Sequence, residues 1–412
     1  MDILTRNKIV VALFIIFLSV SPAFALGEGN RNLLLISVMC ISPIFLLKYP
    51  IIIPRVDAPL IGLCTMMIFF PLVLHPETMR WSTVLYSCMF CLYFMSFARV
   101  LYHSSFTGED FFKVLRGLLF AYCIVLIIQQ FCVLTGLPIF NVSNYTPLEP
   151  WKLNSLMSEP SHSARIIPIM MYMYITVRMR MNVAYTFKQS IKEDRWVWLA
   201  FLWPVLTMGS ATAFIFMLIV FVKFIDIKKF IPSILFVVSL IVIFSILSEN
   251  KSVTRVRNIL VATVTLNEDA IIRADHSASF RIVPTIQGAK KVGFGTVNDW
   301  LGHGVDADQE LIAPLPSVKK GSAGAFYMWI NFGLIVAILF WVFSFCIIFM
   351  KEDKIPSILV WILVPFIGGG INSQIIWFVL CLFFTYKYII HKNDDFCAKI
   401  GISPLYMQEK NS

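Results

Sequence analysis

Charge is scarce in this chain. Only 14% of its 412 residues are Asp, Glu, Lys or Arg, against about 25% in an ordinary soluble domain. A water-facing surface over the whole chain is therefore excluded. Metal-ligand spacing is also missing: no Cys/His cluster has the separations of a zinc site, so neither a resident metal nor any other cofactor is expected. The nine cysteines stay out of the long polar segments, and all but Cys397 fall in apolar runs. That placement argues against a disulfide framework. Cys88-Met-Phe-Cys91 has a redox spacing but lies mid-run, where helix packing is the plainer reading. Gly293-Phe-Gly295 lacks the lysine and the strand–helix context of a nucleotide loop. Internal repeats and low-complexity tracts are absent.

What is abundant is apolar sequence, 58% of the chain. It comes in runs near 9–26, 32–47, 58–75, 81–98, 114–135, 164–180, 196–208, 210–225, 230–247, 325–349, 356–371 and 373–390. Runs of about 17–25 residues match the thickness of a bilayer as helices. The expectation is an all-α polytopic membrane protein. Residues 1–412 form a single integral membrane domain of about twelve transmembrane helices, with a large folded periplasmic loop between helices 9 and 10. The stretch 195–223 would fit one tilted span, but Gly209-Ser210 favours a hairpin of two. Charge agrees. With the amino terminus inside and a hairpin at 195–223, the short outer segments keep only Arg31, Arg80, Lys152 and Arg165. Most other lysines and arginines then face the cytoplasm, as the positive-inside rule requires. The same rule accounts for the net charge of +10, so nucleic acid is not an expected partner. Arg6, Lys8 and the following apolar run, with Ala23-Phe24-Ala25, resemble a secretory signal. A retained first span is favoured because so many spans follow.

Two long segments then lie outside, residues 136–163 and 248–323. The first ends in Ser158-Glu159-Pro160-Ser161-His162-Ser163-Ala164-Arg165, where carboxylate, imidazole, guanidinium and hydroxyls crowd the start of an apolar helix. Proline suits a first helical position, and a helix amino terminus attracts phosphate. His162 and Arg165 are three apart and share a face. Pro168 should kink the helix beneath them. Glu159 could cap the helix or act as a general base, with His162 beside it. Arg165 could snorkel to the surface or ligate phosphate bidentately, together with Ser161. The second segment carries Ser277-x-Ser279-x-Arg281, then Lys290 and Lys291, and reads either as a solvated face or as an anion clamp. Its glycines Gly288, Gly293 and Gly295 would allow close backbone approach. Gly302-His303-Gly304 offers a second imidazole in a flexible setting. Asp306-Ala-Asp308 mimics the metal-nucleotide acids of sugar-nucleotide transferases, but sugar nucleotides are absent outside the cell.

The Glu-Pro-Ser stretch at 159–161 resembles that of Wzy-type bacterial polysaccharide polymerases, of the O-antigen polymerase/ligase superfamily. Leu206-Thr-Met-Gly-Ser-Ala-Thr-Ala213 resembles their Thr-x-Ser segment, with Ala211 where related sequences often carry arginine. Ser277-x-Ser279-x-Arg281 and Gly293-Phe-Gly295 resemble the arginine-to-Gly-x-Gly region of their large periplasmic loop. The likeness implies glycosyl transfer at the periplasmic face of the bacterial inner membrane. Donor and acceptor would be undecaprenyl-pyrophosphate-linked glycans, joined into O-antigen, capsule or exopolysaccharide. A chain-length regulator and a flippase would be partners. In that reading Glu159, His303 and His162 are catalytic, and Arg165, Arg281, Ser161, Ser279 and Lys290 bind pyrophosphate or glycan. The transfer would be metal-independent and inverting. A ligase moving glycan to lipid A–core shares the architecture. A lipid-linked sugar flippase is the non-enzymatic alternative, though its spans should hold more ionisable residues than these.

Overall fold

A chain in hydrocarbon must satisfy its own backbone hydrogen bonds, and helices do so segment by segment. The computed structural model describes residues 3–24, 32–50, 52–141, 145, 147, 149–181, 185–208, 210–224, 258, 261–262, 265–274, 276–315, 321–368 and 370–399. Helix is the only regular structure among them. The helices are α1 (Ile3–Val20), α2 (Leu33–Ile41), α3 (Ile44–Lys48), α4 (Pro54–Leu74), α5 (Trp81–Tyr102), α6 (Gly108–Thr135), α7 (Pro160–Met181), α8 (Phe187–Glu193), α9 (Arg195–Thr207) and α10 (Ala211–Val222). They continue as α11 (Glu268–Ala274), α12 (His276–Lys291), α13 (Val297–Leu301), α14 (Asp308–Leu311), α15 (Tyr327–Phe332), α16 (Leu334–Ile348), α17 (Lys354–Trp361) and α18 (Gln374–Lys399). The predicted run 230–247 lies outside the described residues.

Helices α4, α5 and α6 are long and apolar enough to cross a membrane, and several shorter ones are equally apolar. The outer surface supports the same conclusion. Exposed Ile61, Phe69 and Val73 on α4, Ile124, Ile128 and Phe131 on α6, and Ile335, Ile338 and Val342 on α16 form apolar faces. A monomer in water rarely exposes such continuous apolar area; this is a membrane protein. The interior is packed with rings, Phe90, Phe94 and Phe340 of α5 and α16 gathering around Trp377 of α18. Helix α1 belongs to this core: Tyr93 and Tyr122 donate to the carbonyls of Phe14 and Ser19.

Two apolar runs are broken where the sequence reads as continuous. The second divides into α2 and α3 at Ser42-Pro43. The run 325–349 divides at Gly333, whose φ of +91° ends α15 and starts α16. A Cβ there would lie 2.2 Å from the Trp300 carbonyl oxygen, so only glycine lets the two chains approach.

Polar contacts fix which helix ends lie together. At one end Asn7 donates to the His103 carbonyl (2.7 Å) and accepts from the Tyr49 hydroxyl (2.9 Å). Lys8 meets Asp110 there at 2.8 Å, and Arg99 meets Asp57 at 3.1 Å. Arg178 of α7 pairs with Glu193 and Asp194, and Lys223 pairs with Asp353. At the opposite end Gln130 donates to Thr207 (2.8 Å) and Arg80 binds Asp306 (3.0 Å). The α4–α5 turn and the described residues of 302–333 meet at this second end, where His75 contacts the Gly302 carbonyl, and the described residues of 136–159 lie against the end of α6 there. Among the described residues, both long polar segments therefore reach the same end of the bundle.

Candidate active site

Helix α6 stops at Gly136, whose φ of +71° makes a left-handed cap. The chain then crosses the bundle end through a hydrogen-bonded mesh. Gln129 accepts from the Ser155 N–H (2.9 Å) and donates to the Phe140 carbonyl (3.1 Å). The Ser155 hydroxyl donates to the Tyr122 carbonyl at 2.6 Å. Asn141 donates to the Ser155 carbonyl (2.7 Å), and Asn154 donates to the carbonyls of Asn141 and Met157. Ser163 of α7 closes the mesh on the Asn154 carbonyl at 2.5 Å. Asn141 and Ser155 both hold positive φ, 57° and 52°, an uncommon state for residues with a Cβ. The mesh holds both residues in that state.

The first turn of α7 carries the cluster. The Glu159 carbonyl accepts from the N–H groups of His162 (3.0 Å) and Ser163 (3.3 Å), so Glu159 occupies the capping position. Its side chain turns toward the same face. Ser161 donates to Glu159 Oε2 at 3.1 Å, and His162 Nε2 lies 3.9 Å from that oxygen. The other imidazole nitrogen, Nδ1, lies 3.2 Å from the Ser158 hydroxyl. The Glu159 side chain is 46% exposed, open to a reactant. Arg165 is 8% exposed, and its Nε donates to the Ser161 carbonyl at 3.4 Å. It thus turns into the protein instead of snorkelling outward. Pro168 sits inside the helix, where it cannot donate to Ala164.

Among the described residues of the second segment, most are helical. Ser279 is buried on α12. Arg281 lies two residues further along the same helix, and its side chain, with those of His276 and Ser277, is outside the described set. Helix α12 packs against the residues before α15. The Ala325 N–H donates to the Thr285 hydroxyl (3.1 Å), and a Cβ on Gly288 would lie 2.6 Å from the Ala323 carbonyl oxygen. Gly288 thus serves helix packing, not the approach of a ligand. Lys290 is engaged by Glu268 at 2.6 Å, beside Gln287. Lys290 thus stands beside a carboxylate, on a side chain that is still 66% exposed.

Thr296 and Asp299 form a reciprocal capping box at the start of α13. One turn later His303 Nε2 comes within 3.7 Å of Asp299 Oδ1. The Thr296 backbone N–H holds the Asp299 carboxyl below its ordinary pKa, helped by the Thr296 hydroxyl and the nearby His303, against the opposing effect of burial. The histidine is not in a flexible setting. Its N–H donates to the Ile330 carbonyl at 2.8 Å, and Gly302 and Gly304, at φ +100° and +108°, press against Phe332 and Thr78. Asp306 and Asp308 prove structural. Asp306 binds Arg80 and Thr83, while Asp308 accepts from Asn331 (2.9 Å) and the Ala323 N–H (3.2 Å).

Glu159, Ser161, His162 and Arg165 are thus gathered on one helical turn. His303 is gathered with Asp299, and Ser279 and the backbone of Arg281 belong to the helix packed beside that pair's support. Three features escaped the sequence reading. Asp299 was legible from Thr296-x-x-Asp299, a capping signature. The mesh of Gln129, Asn141, Asn154 and Ser155 had no local signal, because its partners are far apart in sequence. Nor did the buried Asp57–Arg99 pair. Among the described residues no group of three or more His, Cys, Asp or Glu is gathered to hold a metal ion. Comparison with protein-family models, curated proteins and solved structures finds no match for this chain.

Proposed function

We propose that this protein is a polymerase of lipid-linked glycan repeat units in a bacterial inner membrane, working at the periplasmic face. The observation that carries the reading is the Glu159–Ser161–His162–Arg165 turn at the same bundle end as His303 and the helix bearing Arg281. The basic residues Lys8, Arg99, Arg178 and Lys223 at the opposite end support an orientation with that end in the cytoplasm. The donor and acceptor are undecaprenyl-pyrophosphate-linked oligosaccharides.

In this reaction the acceptor hydroxyl loses its proton to the Glu159 carboxylate as its oxygen attacks the anomeric carbon of the donor. The bond from that carbon to the pyrophosphate oxygen breaks, and the pair of electrons leaves with undecaprenyl pyrophosphate. Direct displacement inverts the anomeric centre. Negative charge grows on the leaving diphosphate, and preorganised cations stabilise such charge most where water is excluded. Arg165, already buried, and Arg281 fill that role. His162 orients Glu159, and His303, held by Asp299, is the second candidate base. Ser161 and Ser279 donate hydrogen bonds; Lys290 contributes at most through long-range charge.

The test is reconstitution. Purified protein in vesicles with lipid-linked repeat units is expected to yield a ladder of lengths on a gel. Unextended repeats from well-folded protein would contradict the polymerase. Transfer to added lipid A–core, with no ladder, would identify a ligase instead.

A further inference from the structure

The short helix α13 and the residues just before it expose an apolar strip, whose Phe294 ring also packs on Trp329 at 5.2 Å. Phe294, Val297 and Trp300 recur every third residue, with Phe294 67% and Val297 62% exposed and Trp300 also exposed. Beneath them the segment is fixed. The Asp299 carbonyl accepts from Trp329 Nε1 at 2.8 Å, and Gly302 and Gly333 bring α13 into backbone contact with the start of α16. The His75 contact to the Gly302 carbonyl ties the same segment to the end of α4. Helices α4 and α16 pack together at Gly62 and Leu339. Their exposed residues, Leu72 and Val73 on α4 and Ile335 and Ile338 on α16, are the apolar surface next to α13. Trp81, at the start of α5 and next to Arg80, which binds Asp306, is also exposed.

We propose that α13 is an interfacial anchor, with Phe294, Val297 and Trp300 seated at the headgroup–acyl boundary of the leaflet at this end of the bundle. The occupant is phospholipid. The strip is tethered through Gly302 to the end of α4 and through Gly333 to the start of α16, whose exposed residues are apolar, and tryptophan is enriched at the membrane–water boundary. A sugar platform is the weaker fit. Trp300 Nε1 already donates to the Phe294 carbonyl at 3.0 Å, so the ring offers no hydrogen bond outward, and Val297 offers none either. The anchor sets the height of His303 relative to the lipid surface. That last consequence rests on the polymerase reading; the anchor itself needs only a membrane.

Photocrosslinking tests it. A benzophenone amino acid replaces Val297 in one full-length variant and Val342, an exposed mid-helix residue of α16, in another. Both are reconstituted into vesicles of phosphatidylethanolamine and phosphatidylglycerol and irradiated. Phospholipid adducts are expected at 297, at a yield within about tenfold of that at 342. Adducts at 342 with none at 297 overturn the anchor, as do adducts at 297 that appear only with added oligosaccharide. Trp300→Phe gives an independent readout. Quenching of tryptophan emission by brominated phospholipid should fall relative to the unaltered protein. Unchanged quenching contradicts the anchor, whatever the fate of the crosslinking variant. Polymerisation is not read in either experiment, so failure here leaves the proposed reaction to its own test.

Discussion

His162 Nε2 lies 3.9 Å from Glu159 Oε2 across the first turn of α7, and Ser161 donates to that same oxygen at 3.1 Å. An acid held at a helix end by a hydroxyl and flanked by an imidazole can serve as a general base, the role proposed for Glu159. Glu159→Gln keeps the shape and removes the base. Chain extension is expected to fall by about 10²–10⁴-fold, with membrane insertion unchanged, and Glu159→Ala is expected to abolish it. Glycan length on gels, normalised to protein level, checks this. Full-length glycan at a normal level would remove Glu159 from the site.

The two arginines should respond differently from ordinary surface cations. Arg281→Ala is expected to abolish extension while the protein inserts normally. Arg165→Lys keeps the charge but loses the planar fork that grips a diphosphate. Its turnover should drop by about 10²–10³-fold, with the repeat unit still bound. Turnover and substrate binding measured on one preparation separate the two effects. Wild-type turnover in Arg165→Lys would assign Arg165 to structure alone.

Asn154 holds the connection between α6 and α7 by donating to Asn141 and Met157 and accepting from Ser163. Asn154→Ala removes the side-chain donor to the Asn141 carbonyl and leaves Met157 only the longer bond from Asn141, at about 1–3 kcal/mol. The expected result is a lower unfolding midpoint in detergent and reduced activity, with Gln129→Ala behaving alike. An unchanged midpoint in both would mean the mesh is not what orders the cluster.

Glycines of the second segment divide by geometry. Gly333→Ala meets the Trp300 carbonyl and a positive φ, so it should prevent normal assembly. A Cβ on Gly295 meets nothing within 4 Å. Gly295→Ala should therefore fold and insert normally; on the proposed reading, in which the glycan passes the Gly293-Phe-Gly295 stretch, it lowers extension. Full activity in Gly295→Ala would free the Gly293-Phe-Gly295 stretch from substrate contact.

Acid should loosen the second segment in a predictable direction. The folded Asp299 carboxyl titrates below its ordinary 3.8. Its stabilisation is therefore present above that value and is lost as pH falls through the lower folded value. Asp308 has the opposite sign. Burial raises its pKa, so its protonation favours the folded state as pH falls. Protease resistance of this segment in vesicles, followed from pH 7 down through about pH 3, reads the balance. Asp299→Asn should flatten the acid-induced loss. An identical profile in the variant would show that Asp299 does not contribute to it.

Much of this was written in local sequence. Apolar runs located the helices, Pro160 marked the start of α7, and the turn residues at 209–210 fall between α9 and α10. The polar cluster at the start of α7 was legible because it spans eight consecutive residues, 158–165. Where the reading failed, the cause was distance. Nothing near Gly333 announces that Trp300 will press against it, and nothing near His303 announces that Ile330 will hold its backbone. Nor does the sequence around Lys290 announce Glu268, which reaches it from another helix.

The most direct measurement labels the pocket through its ligand. A photoreactive undecaprenyl pyrophosphate, bound to the protein in vesicles and irradiated, should mark peptides from both 158–165 and 276–303, and excess unlabelled lipid pyrophosphate should suppress both. Adducts confined to one segment, or to neither, would contradict a shared diphosphate site built from α7 and α12.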